Sequence, residues 1–198
     1  IEDHNGGLKH IHKKIIVSIG DPQRRCEEDP VRSLRAIRFS NKLDFKIDNL
    51  VKDAIYDKGH LLSSISNARL FDEFCKIFLN GMGEKNFEKL CSFHLNKYLI
   101  LSDPNRNDFA SSVMIHALRN TDDRVKNQQS ITPGFLLAAL LWPSLLKKCS
   151  KNGEINIRKF FRSMDGVLRE QQKITAIPRK FSSYIKDIWV LQLKLHSR

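Results

Sequence analysis

Between residues 25 and 39 the chain reads Arg25-Cys26-Glu27-Glu28-Asp29-Pro30-Val31-Arg32-Ser33-Leu34-Arg35-Ala36-Ile37-Arg38-Phe39. Asp29-Pro30 has the form of a helix cap followed by proline at the first helical position. Arg32 stands three residues on, so the two side chains project from neighbouring positions. A carboxylate beside a guanidinium presents an acceptor next to a donor. The Watson–Crick edge of adenine is the complement, because its 6-amino group donates and its N1 accepts. Such a pair can read a base without a nucleic-acid template. Arg35 and Arg38 continue along the same helix and can meet phosphates bidentately. The same spacing also suits a plain capped helix with Asp29–Arg32 and Glu28–Arg32 surface ion pairs, each worth roughly 0–1 kcal/mol.

Other candidates are sparser. Asp3 precedes the Asn5-Gly6-Gly7 turn signal. A carboxylate there is either a metal ligand or an Asx-turn residue. Two-metal nucleotidyl transfer needs several carboxylates around two ions, and the chain has no Asp-x-Asp strand to supply them. His94 and His116 read as core-edge histidines, and His10 and His12 have no ligand partners in sequence. Cys26, Cys75, Cys91 and Cys149 form no Cys-x-x-Cys pair, so they read as reduced thiols, with Cys75 and Cys91 as small core residues. Toward the C-terminus, Arg158, Lys159, Arg162, Arg169, Arg179, Lys180 and Lys186 are candidates for phosphate contact. Trp142, Phe160, Phe161, Tyr184 and Trp189 can stack on RNA bases, but aromatics at helical spacing are more often core, and core is favoured for most of them.

The elements that must position these groups are largely helical. Residues 1–20 read as extended, with the β-branched run Lys14 to Ile19 ending at Gly20. Helical signals then dominate. The first helix starts at Asp29-Pro30 and closes between Asn41 and Phe45, and the next opens near Ile47. Asn67 is expected to cap Ala68–Asn80, with Gly81 as its stop. Asn86–Leu95 and Phe109–Val125 follow. Thr132-Pro133 opens a helix to about Lys148, and Ile155–Thr175 and Pro178–His196 are the last two. Ser102 to Asn105 and Ser150 to Gly153 read as loops. The expected class is mainly α, with a short β piece at the front.

The 198 residues carry a formal charge of +12, with 41% hydrophobic residues. That composition buries a real core and favours a polyanionic partner. Residues 154–198 hold ten Lys/Arg against four Asp/Glu, while the preceding 153 hold twenty-four against eighteen. The positive density is therefore highest at the C-terminal end. The longest apolar run, Phe135 to Trp142, suits a buried helix and is too short to span a membrane. No signal peptide is read at the start. A cytoplasmic monomer is expected.

The string Glu28-Asp29-Pro30-Val31-Arg32-x-Leu34-Arg35-Ala36-x-Arg38-Phe39 closely resembles the neck motif of the bacterial poly(A) polymerase and tRNA nucleotidyltransferase superfamily. Asp3-x-x-Gly6-Gly7 and Ile19-Gly20-Asp21-Pro22 are similar to the motif just before it. Three body stretches favour the poly(A) polymerase I branch: Ala68 to Glu73, Pro133 to Ala139 with Trp142 following, and Ala176-Ile177-Pro178 leading to Asp187 through Leu193. Two departures stand out, His10 where the family usually has Asp and Glu27 where it often has a basic residue.

The resemblance covers essentially the whole chain. It implies three regions: residues 1–24 as the end of a nucleotidyltransferase head, 25–95 as the neck, and 96–198 as a helical body that binds RNA. It implies that Asp29 and Arg32 select the base of ATP, with Arg25, Glu28 and Arg35 shaping the pocket. Asp3 would be the last catalytic carboxylate and a ligand to Mg2+. Arg38, Arg158, Lys159, Arg162, Arg179 and Lys180 would contact RNA. The implied activity is template-independent addition of AMP to RNA 3′ ends, in mRNA processing and decay. Most carboxylates of that chemistry would lie in a head before Ile1, so the 198 residues alone are expected to be inactive. The rival readings are a CCA-adding tRNA nucleotidyltransferase and a non-catalytic RNA-binding module or gene remnant.

Overall fold

A computed structural model describes residues 3–102, 109–151 and 154–196. Among them are ten α-helices: α1 (Gly7–His12), α2 (Pro22–Glu28), α3 (Val31–Leu43), α4 (Asn49–Lys58), α5 (Asn67–Phe78), α6 (Gly83–Ser92), α7 (Phe109–Lys126), α8 (Pro133–Cys149), α9 (Ile157–Gln172) and α10 (Arg179–His196). Four two-residue strands, β1 (Ile15–Ile16), β2 (Lys46–Ile47), β3 (Ser150–Lys151) and β4 (Glu154–Ile155), and two 3-10 helices, Gly59–Ser64 and Asn96–Tyr98, complete the described elements. The class is mainly α, as the sequence implies. The chain divides into two compact units, one of Ile1–Ile65 with Lys85–Leu95, the other of Ser66–Glu84 with Asn96–Arg198.

In the first unit, residues 7–12 are helical where extended backbone was expected. Gly6 takes the left-handed conformation, φ 68°, and Asp3 Oδ1 accepts from Gly7 N at 2.7 Å while Oδ2 accepts from Leu8 N at 2.8 Å. Those bonds satisfy amides that a helix start leaves open. Among the described residues up to Gly20 only Ile15–Ile16 forms a strand, and it pairs in parallel with β2. The Asp21-Pro22 dipeptide starts α2, a helix the sequence reading missed. Asp21 accepts from Arg24 N at 2.8 Å. The core of this unit is Val31, Leu34 and Ile37 from α3, Val51, Ala54 and Ile55 from α4, and Phe87 and Leu90 from α6. On α3 and α4 these residues recur at the spacing of one helix face.

The second unit is organised around α8, which packs against α7, α9 and α10. Leu136, Leu137, Leu140, Leu141 and Leu145 are all fully buried, each contributing roughly 1.5–3 kcal/mol. A helix apolar on nearly every side has to be internal. Thr132 caps it by accepting from Phe135 N. Ser66, one residue before the expected Asn67, caps α5. Asn156 caps α9, so that helix starts two residues later than expected, after β4. The predicted loop at 150–153 is a short antiparallel pairing of β3 with β4, and residues 152–153 lie outside the described residues. So do positions 103–105 of the loop expected after Ser102.

Burial corrects two groups of residues. Cys26 and Cys149 are the buried thiols, while Cys75 and Cys91 are only half-buried; all four are free. Burial still pushes the Cys75 thiol up to about 11, which keeps it protonated and unreactive. His94 and His116 are exposed, not core-edge. Trp142, Phe160 and Trp189 are core, as favoured.

Gln171 is fully buried on α9. Its amide donates to the Leu99 carbonyl at 2.9 Å and to Thr175 Oγ1 at 2.7 Å, and its Oε1 accepts from Leu101 N at 2.8 Å. Replacing it by leucine strands the buried Leu99 carbonyl and the part-buried Leu101 N–H, and each costs about 1–3 kcal/mol. Gln171→Leu should therefore lower the urea midpoint, by a loss of roughly 2–6 kcal/mol in unfolding free energy, with an unchanged slope.

Candidate nucleotide and RNA site

The α2–α3 junction is built by proline. Pro30 disfavours helical backbone at the residue before it, and Asp29 is extended there, φ −145° and ψ 91°. Asp29 thus closes α2 and is not the side-chain cap of α3, which begins after Pro30 with no side-chain bond. Cys26 and Ser33 lie beneath the junction, with the Ser33 hydroxyl 3.7 Å from Cys26 Sγ. The buried pair seats α2 on the start of α3.

The expected ion pairs are rearranged. Asp29 Oδ2 lies 3.6 Å from Arg35 Nη1, and the Asp29 side chain is only 21% exposed. Glu28 is bonded by Arg24 Nε at 3.1 Å and by Arg25 Nη1 at 2.9 Å. Arg25 Nε also donates to the Ile19 carbonyl at 3.0 Å. That carbonyl precedes Gly20, whose φ of 81° only glycine adopts without strain. Arg25 therefore ties the turn before α2 to the end of α2. Arg32 is exposed and pairs with no carboxylate among the described residues. Helical spacing reaches Arg35 from Asp29 through the turn at Pro30, which a straight-helix reading places out of range.

Arg38 stacks its guanidinium 4.4 Å from the ring centre of the exposed Phe39. Arg158, Lys159 and Arg162 are exposed on the first half of α9, and Arg179 and Lys180 are exposed at the start of α10. None of these five forms an ion pair with a described residue, whereas Lys148 pairs with Glu170, and Lys186 with Asp165 at 2.5 Å. Lys186, a phosphate candidate by sequence, is thus engaged on the protein. Lys180 Nζ lies 5.0 Å from the Phe181 ring centre.

Asp3 serves as the anchor of α1, and its backbone bonds hold its carboxyl below the ordinary range. No group of three His, Cys, Asp or Glu is placed to hold a metal ion among the described residues. The described residues therefore do not make a metal centre by themselves.

The family model described as a probable RNA and SrmB-binding site of polymerase A matches residues 44–105. One described as the polymerase A arginine-rich C-terminus matches residues 152–198. Poly(A) polymerase I of Salmonella typhi is 33% identical over all of this chain and 44% of its own length. The chain is thus similar to bacterial poly(A) polymerase I over its whole length, and both matching family models describe regions of polymerase A. Poly(A) polymerase I of Haemophilus influenzae is 34% identical, again over the whole chain, with 46% of the relative covered. A CCA-adding enzyme of Pediococcus pentosaceus is 39% identical over 46% of this chain. The chain thus spans less than half the length of the poly(A) polymerase relatives. No described helix is long and apolar enough to cross a membrane.

Arg25 and Arg24 hold the Glu28 carboxyl below the ordinary glutamate value of 4.5, with the Arg25 hydrogen bond the largest cause. A depressed folded pKa gives stability that is present above pH 4.5 and is lost as pH falls through the folded value. A carboxyl-carbon NMR titration should place Glu28 below 4.5, and Arg25→Ala should move it back upward.

Proposed function

We propose that the intact protein transfers AMP from ATP to RNA 3′ ends without a template. The observation that carries this reading is the α2–α3 junction. It holds a part-buried carboxylate, Asp29, steadied by Arg35, and leaves the Arg32 guanidinium open to a ligand. Asp29 accepts from the adenine 6-amino group and Arg32 donates to N1. Arg25 and Glu28 hold the turn that frames the pocket. Guanine and uracil present a carbonyl where adenine presents its amino group, so Asp29 repels them. Cytosine offers the same amino-and-acceptor edge as adenine. Asp29 and Arg32 therefore select against two bases, and the choice between ATP and CTP falls to pocket size.

The exposed basic side chains Arg158, Lys159, Arg162, Arg179 and Lys180, with Arg38, supply phosphate contacts to the RNA. Mg2+ is the ion this chemistry takes, and a set of carboxylates beyond those described must hold it. Asp3 is the carboxylate of this chain assigned to that set, and its Oδ2, with one N–H bond from Leu8, keeps a lone pair for it. With one such carboxylate, the 198 residues bind nucleotide and RNA but do not transfer AMP. A cytoplasmic location and a monomeric state complete the reading.

The test is nucleotide binding to the chain by calorimetry. ATP should bind more tightly than GTP, and Asp29→Ala and Arg32→Ala should each lose roughly 10–100-fold, the value of a charged hydrogen bond. Equal affinities for ATP and GTP in the unmodified chain would refute base reading by the neck. Equal affinities for ATP and CTP would favour the CCA-adding reading, to which the similarity with the Pediococcus pentosaceus enzyme also points.

A further inference from the structure

Within the second unit, a cavity of about 360 Å³ lies against α7, α8 and α10, lined among others by His116, Asn120, Trp142, Ile188, Trp189 and Gln192. A second cavity of about 240 Å³ adjoins it and shares Asn120 and Phe135. Arg124, Thr132 and Tyr184 line that second part. The larger volume lies within the roughly 300–1,000 Å³ of small-ligand sites. Among the described lining residues of both cavities there is no carboxylate, and Arg124 is the fixed charge.

The chemistry is graded along the groove. One end is apolar, walled by the two tryptophans and Ile188, with the amides of Asn120 and Gln192 at hand. The Trp189 indole N–H is already used, donating to the Ala138 carbonyl at 2.8 Å. Pro143 sits inside α8 and supplies no N–H to the carbonyl four residues before it, that of Ala139. Ala139 also lines the larger cavity. The other end carries Arg124, whose Nε is fixed on the Ser130 carbonyl at 3.0 Å, leaving the terminal nitrogens to meet an anion.

Between the two ends stand Phe135 and Tyr184, 42% and 43% exposed. Tyr184 is held from one side. A Cβ on Gly134 would lie 2.8 Å from Tyr184 Cδ1, so the ring rests against the glycine backbone and keeps its other side open. A fixed, half-exposed ring in a concave, carboxylate-free groove is a stacking platform.

We infer that this groove binds one unpaired nucleobase of an RNA strand, stacked on Tyr184 and Phe135, with its edge met by Asn120 and Gln192 and its phosphate by Arg124. The inference rests on the reading that RNA is the substrate. The ligand is flat and apolar on its faces, carries donors and acceptors on its rim, and is anionic on one side, which matches the grading of the groove. A helix from a protein partner would use the apolar walls and leave both amides and Arg124 idle.

The experiment is anisotropy titration of the chain with a short fluorescein-labelled oligoadenylate over a series of salt concentrations. Tyr184→Ala should weaken binding roughly 10-fold with the salt slope unchanged, and Tyr184→Phe should restore it. Gly134→Ala, which displaces the ring, should weaken binding while leaving the circular dichroism intact. Arg124→Ala should reduce the salt slope by about one. An oligoadenylate carrying 8-azidoadenosine should label peptides holding Phe135 or Tyr184. Wild-type affinity in Tyr184→Ala with no label on those peptides would overturn the inference. So would a concentration-dependent dimer abolished by Tyr184→Ala while RNA binding persists. ATP-over-GTP selectivity, measured on the same samples, reports on the neck separately, because Tyr184→Ala leaves Asp29 and Arg32 untouched.

Discussion

Proline at position 30 governs the candidate site. It lacks an N–H and crowds the residue before it, so Asp29 cannot continue α2. The chain turns through one extended residue and resumes as α3. That single break brings the Asp29 carboxylate over the first turns of the next helix, within 3.6 Å of Arg35. The Arg24–Glu28–Arg25 cluster and the Arg25 bond to the Ile19 carbonyl then hold α2 from its other end. Arg32 is left as the exposed member of the set. The junction is therefore a geometric consequence of proline, and the ion pairs around it fix which arginine is occupied and which is presented.

The second unit shows a different constraint, the need to satisfy polar groups inside an apolar array. Gln171 bridges the backbone at Leu99 and Leu101 from within α9. Asp122 does the same for α6. Its carboxylate accepts from Gly83 N at 2.6 Å and Glu84 N at 3.0 Å, and burial pushes its carboxyl above the ordinary value. For an acid with a raised folded pKa the sign is opposite to that of Glu28. Its charge weakens the fold as pH rises from the ordinary value of 3.8 through the folded one. The cap is kept because two helix-start amides would otherwise be left without an acceptor. Asn67 supports the same region, donating to the Gln172 carbonyl while its own carbonyl accepts from Ala176 N.

Charge on the C-terminal helices sorts into two populations. Lys148 and Lys186 are tied to Glu170 and Asp165. Arg158, Lys159, Arg162, Arg179 and Lys180 are exposed and pair with no described acid. Exposed pairs contribute little to stability, so the cost of leaving five cations unpaired is small, and the field they create remains available to a polyanion. Composition alone indicates the excess of charge but not which side chains are already engaged.

Much was legible in the sequence because it is local. Apolar spacing placed α3, α5, α7, α8 and α10 to within a few residues, and Thr132-Pro133 fixed the start of α8, since caps and helix faces depend on neighbours a turn away. The neck string, with Asp29, Arg32 and Arg35 close together, was visible for the same reason. Tertiary structure decided what depends on distant partners. It paired Ile15–Ile16 with Lys46–Ile47, whereas the Asp3 bonds that start α1 and the Asp29–Arg35 pair are local turn geometry that apolar spacing does not show. It buried Cys26 and Cys149 rather than Cys75 and Cys91. It also set Tyr184 against Gly134, fifty positions away in the chain. Periodicity tells which side of a helix is apolar, but only packing tells what that side meets, because burial and pairing are properties of two surfaces and the sequence writes down one at a time.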